Sequence, residues 1–173
     1  MTSPPAIVLV GFMGTGKSAV SQILAGQLGW QHLDTDALIV QRAGKPIPAI
    51  FAEEGEPHFR DLETQVIRAL AGTKDAVVAT GGGCVMRVDN IRALRELGMV
   101  VNLAARPEVI LSRCGGDTGR PLLQTENPLA RIHDLLALRA PLYAMAHHTV
   151  DTSDLGVAEV AEAILHLMPG RTP

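Results

Sequence analysis

The residues Gly11-Phe12-Met13-Gly14-Thr15-Gly16-Lys17-Ser18 follow an apolar run, Ala6–Val10, and lead into a helical pattern, Lys17–Leu28. The spacing is G-x-x-x-x-G-K-[ST], and a strand before with a helix after is the setting in which that spacing works as a phosphate loop. Such a loop constrains the fold more than any other feature of the chain. It joins a strand to a helix so that successive backbone N–H groups and the positive helix end converge on one point. Gly14, Thr15, Gly16, Lys17, Ser18 and Ala19 are therefore expected to hold a nucleoside triphosphate. Lys17 would reach the β- and γ-phosphates, and Ser18 would place its hydroxyl on Mg²⁺. An idle glycine-rich turn is the alternative, and Lys-Ser in register argues against it.

The rest of the chain repeats the strand–helix alternation. His32–Asp34, Ala76–Ala79, Val100–Leu103 and Thr149–Val150 read as further short buried strands. Helices are expected over 36–43, 47–54, 57–71, 88–97, 107–113, 127–145 and 157–168, with Pro141 disturbing the sixth. Prolines at first-turn positions and glycines at the stops mark several of their ends. Alternation of this kind implies a parallel sheet covered on both faces, with ligands at the carboxyl ends of the strands. Gly11–Ser18, Asp34–Asp36 and Gly81–Gly83 each follow a strand, so all three should face one crevice. The stretch Cys114–Thr125, with three glycines, one proline and one arginine, has the length and composition of a mobile lid. An ordinary surface loop is its other reading.

Composition narrows the class. A chain of 173 residues with 47 % hydrophobic and 19 % charged content is expected to form one compact domain. A net charge of −3, with one Trp, one Tyr and three Phe, offers neither a basic surface nor a stacking platform for nucleic acid. The N-terminal residues lack the pattern of a signal peptide, and no apolar stretch is long enough for a bilayer. Cys84 and Cys114 have no metal or redox spacing. A cytoplasmic location with reduced thiols, no membrane and no nucleic acid is the expectation.

Three further clusters carry chemistry. Asp34-Thr35-Asp36 offers two carboxylates beside the expected metal and γ-phosphate. One would hold a metal-bound water and the other an acceptor hydroxyl; the same residues are also good helix caps, and both readings can hold together. Thr80-Gly81-Gly82-Gly83 stands where a P-loop enzyme commonly has an aspartate. Asp34 can supply that carboxylate, while the glycines admit close backbone approach or form a plain turn. In GEPHFRDLE, Arg60 and Glu63 share a helix face, with Phe51 and Phe59 as apolar neighbours. An arginine fork beside aromatic walls suits a small ring acid, and Arg139 is a second candidate for the same anion. Arg120, inside the lid stretch, is placed to bring a cation over the γ-phosphate; a solvated surface arginine is the plainer alternative for Arg60 and Arg139. His147-His148 reads as a strand entry.

From about Ala6 to Thr152 the chain resembles the shikimate kinase family, within the nucleoside monophosphate kinase-like P-loop fold. The resemblance runs through GxxxxGKS, DTD, the FxxxGExxFRxxE block from Phe51 to Glu63, GGG at 81–83, RPLL at 120–123 and RxPxY from Arg139 to Tyr143. It implies a three-layer αβα fold with a five-stranded parallel sheet in strand order 2-3-1-4-5, usually monomeric, transferring phosphate from ATP to the 3-hydroxyl of shikimate with Mg²⁺. It further implies catalysis by Lys17, Asp36 and Arg120, with metal support from Ser18 and Asp34 and an acceptor region over about 35–63. Arg113 would lie near adenine. Arg60, Gly82 and Arg139 would bind the acid and ring substituents, Gly81 and Gly83 completing that wall. Phe51, Phe59, Pro121 and Leu122 would be apolar neighbours. Two stretches depart from the family pattern: Asp151-Thr152-Ser153-Asp154 after the last strand, where some relatives carry arginine or asparagine, and Pro46 and Pro48 near the acceptor helix. A gluconate or nucleotide kinase of the same fold is the nearest rival. A regulatory switch is the distant one, since no guanine-reading NKxD occurs and Lys17, Asp36 and Arg120 are all present.

Overall fold

In the computed structural model, residues 5–114 and 123–169 are described. Strand β1 (Ala6–Gly11) is buried along its whole length. No face of it can be given to water, so it has to lie inside a sheet covered on both sides. β3 (Ala76–Ala79) pairs with it in parallel on one side, Leu9 opposite Ala79, and β4 (Met99–Ala104) on the other, Val10 opposite Asn102. β2 (Gln31–Asp34) and β5 (His148–Asp151) extend the sheet outward. The order is β2-β3-β1-β4-β5, as the resemblance implies, and the parallel pairing is what the alternation implies.

Alternate residues of β1 point to opposite layers. Ala6, Val8 and Val10 pack with Ile67 of α3 (Ile47–Ala69) and with Ile91 and Leu94 of α4 (Val88–Leu97). Ile7 and Leu9 pack with Val20 and Leu24 of α1 (Lys17–Leu28) and with Val160 and Ile164 of α7 (Val157–His166). Each of these large aliphatic side chains stabilises the fold by roughly 1.5–3 kcal/mol on full burial. A third cluster joins Phe12 to Ile110 of α5 (Pro107–Cys114) and to Ile132 and Leu135 of α6 (Pro128–Tyr143). A fourth joins Ile39 of α2 (Thr35–Ala43) to Ile50, Phe59, Leu62 and Val66 of α3.

Several helix bounds differ from the expectation: α2 starts at Thr35, α3 ends at Ala69 and α5 at Cys114. The segments expected at 47–54 and 57–71 form one kinked element, broken at Gly55, whose φ of 84° and ψ of 170° no side chain would tolerate easily. Pro57 then occupies the first turn of the second half, where its missing N–H costs nothing. α6 stops at Tyr143 instead of near 145, with Pro141 inside its last turn and the Ala144 N–H closing on Ala140 O at 3.0 Å. α7 ends at His166, not Met168. Of the expected lid, Cys114 closes α5 and Leu123–Thr125 are described; Arg120, Pro121 and Leu122 lie outside the described residues. Among the described residues, no helix is long and apolar enough to cross a membrane.

Candidate active site

The carboxyl ends of β1, β2 and β3 open onto one crevice. After β1, Gly14 and Gly16 take positive φ values of 73° and 92°, which turn the chain sharply into α1. Thr15 is buried and its hydroxyl donates to Phe12 O at 2.7 Å, so it shapes the loop and leaves only its backbone for a ligand. The N-terminal end of α1 begins at Lys17, directly after the loop, and the N–H groups of a helix's first turn form the arrangement that binds anions. Lys17 Nζ lies inside this turn and donates to Gly11 O (2.7 Å) and Phe12 O (2.9 Å).

A cavity of about 460 Å³ runs from this loop to Asp36, Gly81 and Gly82, with Arg113 on its other side. The three post-strand segments therefore meet, with one adjustment. Asp36 and Ser18 line this cavity, whereas Asp34 lines an adjoining cleft of about 600 Å³ that it shares with Asp36. Asp34 Oδ1 accepts from the N–H groups of Asp36 (2.9 Å) and Ala37 (3.1 Å), capping α2. Capping thus fixes the position of Asp36. Asp36 Oδ1 is buried and has no hydrogen-bond partner among the described residues. Burial raises its carboxyl above the ordinary range, Asp34 adds to the rise, and Lys17 and Arg60 pull against it. The donors offered by Ser18, Asp34 and Asp36 are all oxygens, the hard ligands that Mg²⁺ takes, so these residues fit that ion.

The glycine run does more than turn the chain. A Cβ on Gly81 would stand 2.7 Å from Asp36 Oδ1, and one on Gly83 would stand 2.5 Å from Arg60 Nη1. Both carbons sit against charged groups that a larger residue would displace. The middle residue of DTD, Thr35, takes the Gly81 N–H on its hydroxyl at 3.2 Å and so couples the two segments. Arg60 is gripped by Glu63 at 2.6 Å, as the shared helix face predicts, and also by Glu56 at 3.1 Å. Phe59 is buried, with the Arg60 guanidinium 5.3 Å from its ring centre; Phe51, stacked on it at 4.7 Å, is more exposed.

Arg139 is 4 % exposed, which removes it from the surface-arginine reading. Its Nη1 donates to Gly82 O at 3.1 Å, its guanidinium sits 5.3 Å from the Phe12 ring centre, and its buried Nε has no hydrogen-bond partner among the described residues. Tyr143 Oη donates to the same Gly82 carbonyl at 2.9 Å. Burial pushes that phenol up to about 12, so it stays a neutral donor. The RxPxY spacing puts Arg139 and Tyr143 on one helix face, and this signal for the tyrosine was available in the sequence. Arg60 and Arg139 do not themselves line the P-loop cavity; they stand against its glycine wall. Arg113 does line it, donating to Gly14 O (3.2 Å) and to Thr152 Oγ1 (3.0 Å) and O (2.8 Å). Nothing local in the sequence marks Thr152. Cys84 and Cys114 are free and buried, and burial pushes the Cys84 thiol up to about 12, which leaves it inert.

A phosphate loop facing a buried carboxylate, with the sheet order above, defines a P-loop kinase of the kind that phosphorylates a small molecule. Comparison with known proteins carries this further. The family model "Shikimate kinase" matches residues 13–169. A shikimate kinase of Geobacter sulfurreducens is 50 % identical over 158 residues, covering 91 % of this chain and 87 % of the relative. One of Moorella thermoacetica is 47 % identical over 161 residues, covering 93 % and 92 %. Among solved structures, the shikimate kinase of Acinetobacter baumannii in complex with shikimate superposes with a TM-score of 0.89 at 44 % identity, covering 94 % of this chain and 92 % of that one. The chain belongs to the shikimate kinase family. A gluconokinase of Sinorhizobium meliloti shares the fold alone, at a TM-score of 0.63 and 22 % identity.

Proposed function

We propose that this chain, as a single kinase domain, transfers the γ-phosphoryl group of ATP to the 3-hydroxyl of shikimate, with the roles divided between its residues as follows. The backbone of Gly14–Ala19 cradles the phosphates, and Lys17 exchanges its loop carbonyls for phosphate oxygens. Asp36 orients the acceptor hydroxyl and takes its proton. Arg60 and Arg139 hold the ring acid and its substituents against Gly81–Gly83, with Phe51 and Phe59 as apolar neighbours. Ser18 holds Mg²⁺ with support from Asp34; when bound, the ion neutralises charge building on the phosphates. From the lid over about 114–125, Arg120 covers the transferring group, with Pro121 and Leu122 beside the acceptor.

The observation that carries this reading is the buried Asp36 Oδ1, without a hydrogen-bond partner among the described residues, in the same cavity as Lys17 and Ser18. A carboxylate in that state is ready for a hydroxyl donor, and its upward pKa suits a base that releases its proton again. Phosphoryl transfer needs little else, because its loose transition state is served by positioning and charge. We further place the enzyme in the cytoplasm as a monomer whose partners are ATP and shikimate. The test is ADP release from purified protein with Mg·ATP, offering shikimate, gluconate and nucleoside monophosphates in parallel. Turnover is expected with shikimate; turnover with another acceptor and none with shikimate would overturn the assignment.

A further inference from the structure

The sheet order divides the crevice. Asp36 and Gly81–Gly83 follow β2 and β3 on one side of the P-loop strand, and Arg113 of α5, which follows β4, lines the cavity on the other, the side left for the remainder of a bound triphosphate. There the turn after β5, Asp151–Leu155, is tied down on every side. Thr152 N–H and Oγ1 both donate to Ala104 O, at 2.8 and 3.1 Å. Asp151 Oδ1 accepts from Ser153 N–H (2.9 Å) and Oγ (2.6 Å). From the other flank comes Arg106, two residues past β4. Its N–H donates to Ser153 Oγ at 2.9 Å, and its guanidinium forks onto the two Asp154 oxygens at 2.8 Å each. Arg113 then links the same turn to the P-loop through Thr152 and Gly14.

An exposed ion pair ordinarily contributes little, but a bidentate arginine fork inside a network is the exception. Here the fork also decides what the turn displays. Asp154, held below the ordinary carboxylate range by Arg106, has both oxygens engaged. A free carboxylate at this place would do two things. It would repel the approaching polyphosphate, and it would accept from the N–H and NH₂ donors on the edge of a guanine, which adenine lacks there. We propose that Arg106 is a specificity-determining residue for the donor's base, fixing the turn after β5 and withholding the Asp154 carboxylate from a guanine. Arg106 touches neither phosphate nor acceptor; it acts through Asp154 and Ser153.

The inference rests on the triphosphate reading above, so its test is direct binding without any acceptor. Calorimetric titration of the full-length protein with Mg·ADP and Mg·GDP would compare wild type, Arg106→Ala, Arg106→Lys and Arg106→Ala/Asp154→Asn. In Arg106→Ala the Kd for ADP is expected to rise about 3–10-fold while that for GDP holds or tightens, so the preference for adenine falls at least about threefold. Arg106→Lys should lie between, since an ammonium cannot fork. In the double variant the loose acid is gone and the adenine preference should return to within about twofold of wild type. A fold-stabilising role alone would shift the melting temperature and leave the ADP-to-GDP ratio in place. That unchanged ratio in Arg106→Ala, or a ratio equally lost in the double variant, would overturn the proposal. Failure of the wild-type protein to bind either nucleotide would instead overturn the triphosphate reading.

Discussion

At the β2/β3 end of the crevice the working groups are charged side chains removed from water: Glu63 is 2 % exposed and Arg139 4 %. At the P-loop, backbone N–H groups at the start of α1 share the work with the buried Lys17, and Ser18 and Ala19 are open to solvent. The acceptor end is therefore costly and rigid, each charge needing a placed partner, as Arg60 has in Glu63 and Glu56. Beside the one buried ammonium of Lys17, the donor end draws on the dipoles of a helix the fold already contains. The contrast explains where discrimination sits. On the proposed reading, the phosphates are held by groups that any P-loop owns, whereas the acceptor and the donor's base are read by side chains on either side of that loop.

The sharpest way to break the contrast is Asp36→Asn. Losing a positioned base should lower kcat about 10²–10⁴-fold while Mg·ADP still binds, measured by coupled assay and calorimetry. The same change should raise thermal stability at neutral pH. The folded-state carboxyl of Asp36 is raised, so its ionised form is a cost to the fold above that pKa and is relieved as pH falls below it. An amide carries no such cost. A variant that is both inactive and no more stable would show that the site does not hold a strained acid.

Next in size is Arg139→Ala. Losing a charged contact should cost about 1.5–3 kcal/mol in kcat/KM for shikimate, roughly 10–150-fold, with the KM for ATP little changed. Equal losses for both substrates would erase the division between the two ends. The smallest effect expected is a displacement, read from the position of the pH profile and not its height. Asp34→Asn keeps a capping side chain on α2 but removes the negative charge that helps to raise Asp36. Since kcat/KM falls as the base is protonated, its acid limb should move to lower pH. An acid limb that stays in place would detach the two aspartates.

Legibility in the sequence follows the range of the interactions. β1 and β3 are apolar runs, and β4 nearly so apart from Asn102, because they are buried on both faces, and such runs can be read directly. Arg60–Glu63 was readable because helical periodicity brings residues three apart together. The kink at Gly55 was signalled by the glycine and Pro57, though not the continuity of α3 across it. Arg113–Thr152, Arg106–Asp154 and Tyr143–Gly82 were not readable: their partners stand 39, 48 and 61 positions apart and meet only through packing across the sheet. Asp34 illustrates a third case. Its residue type allows either a cap or a metal support, and only the folded structure shows that one oxygen already serves the helix.

The Gly82 carbonyl, which receives both Arg139 and Tyr143, has a reach beyond its own two hydrogen bonds. A carbonyl oxygen has two lone pairs, and two donors occupy both. Because the following peptide is planar and trans, holding that oxygen also sets the direction of the Gly83 N–H on its opposite edge. α6 thus steers a main-chain donor in a distant loop without touching it, as a hand on one edge of a door sets the other. Truncating Tyr143 would loosen this hold on the peptide plane and let the donor swing.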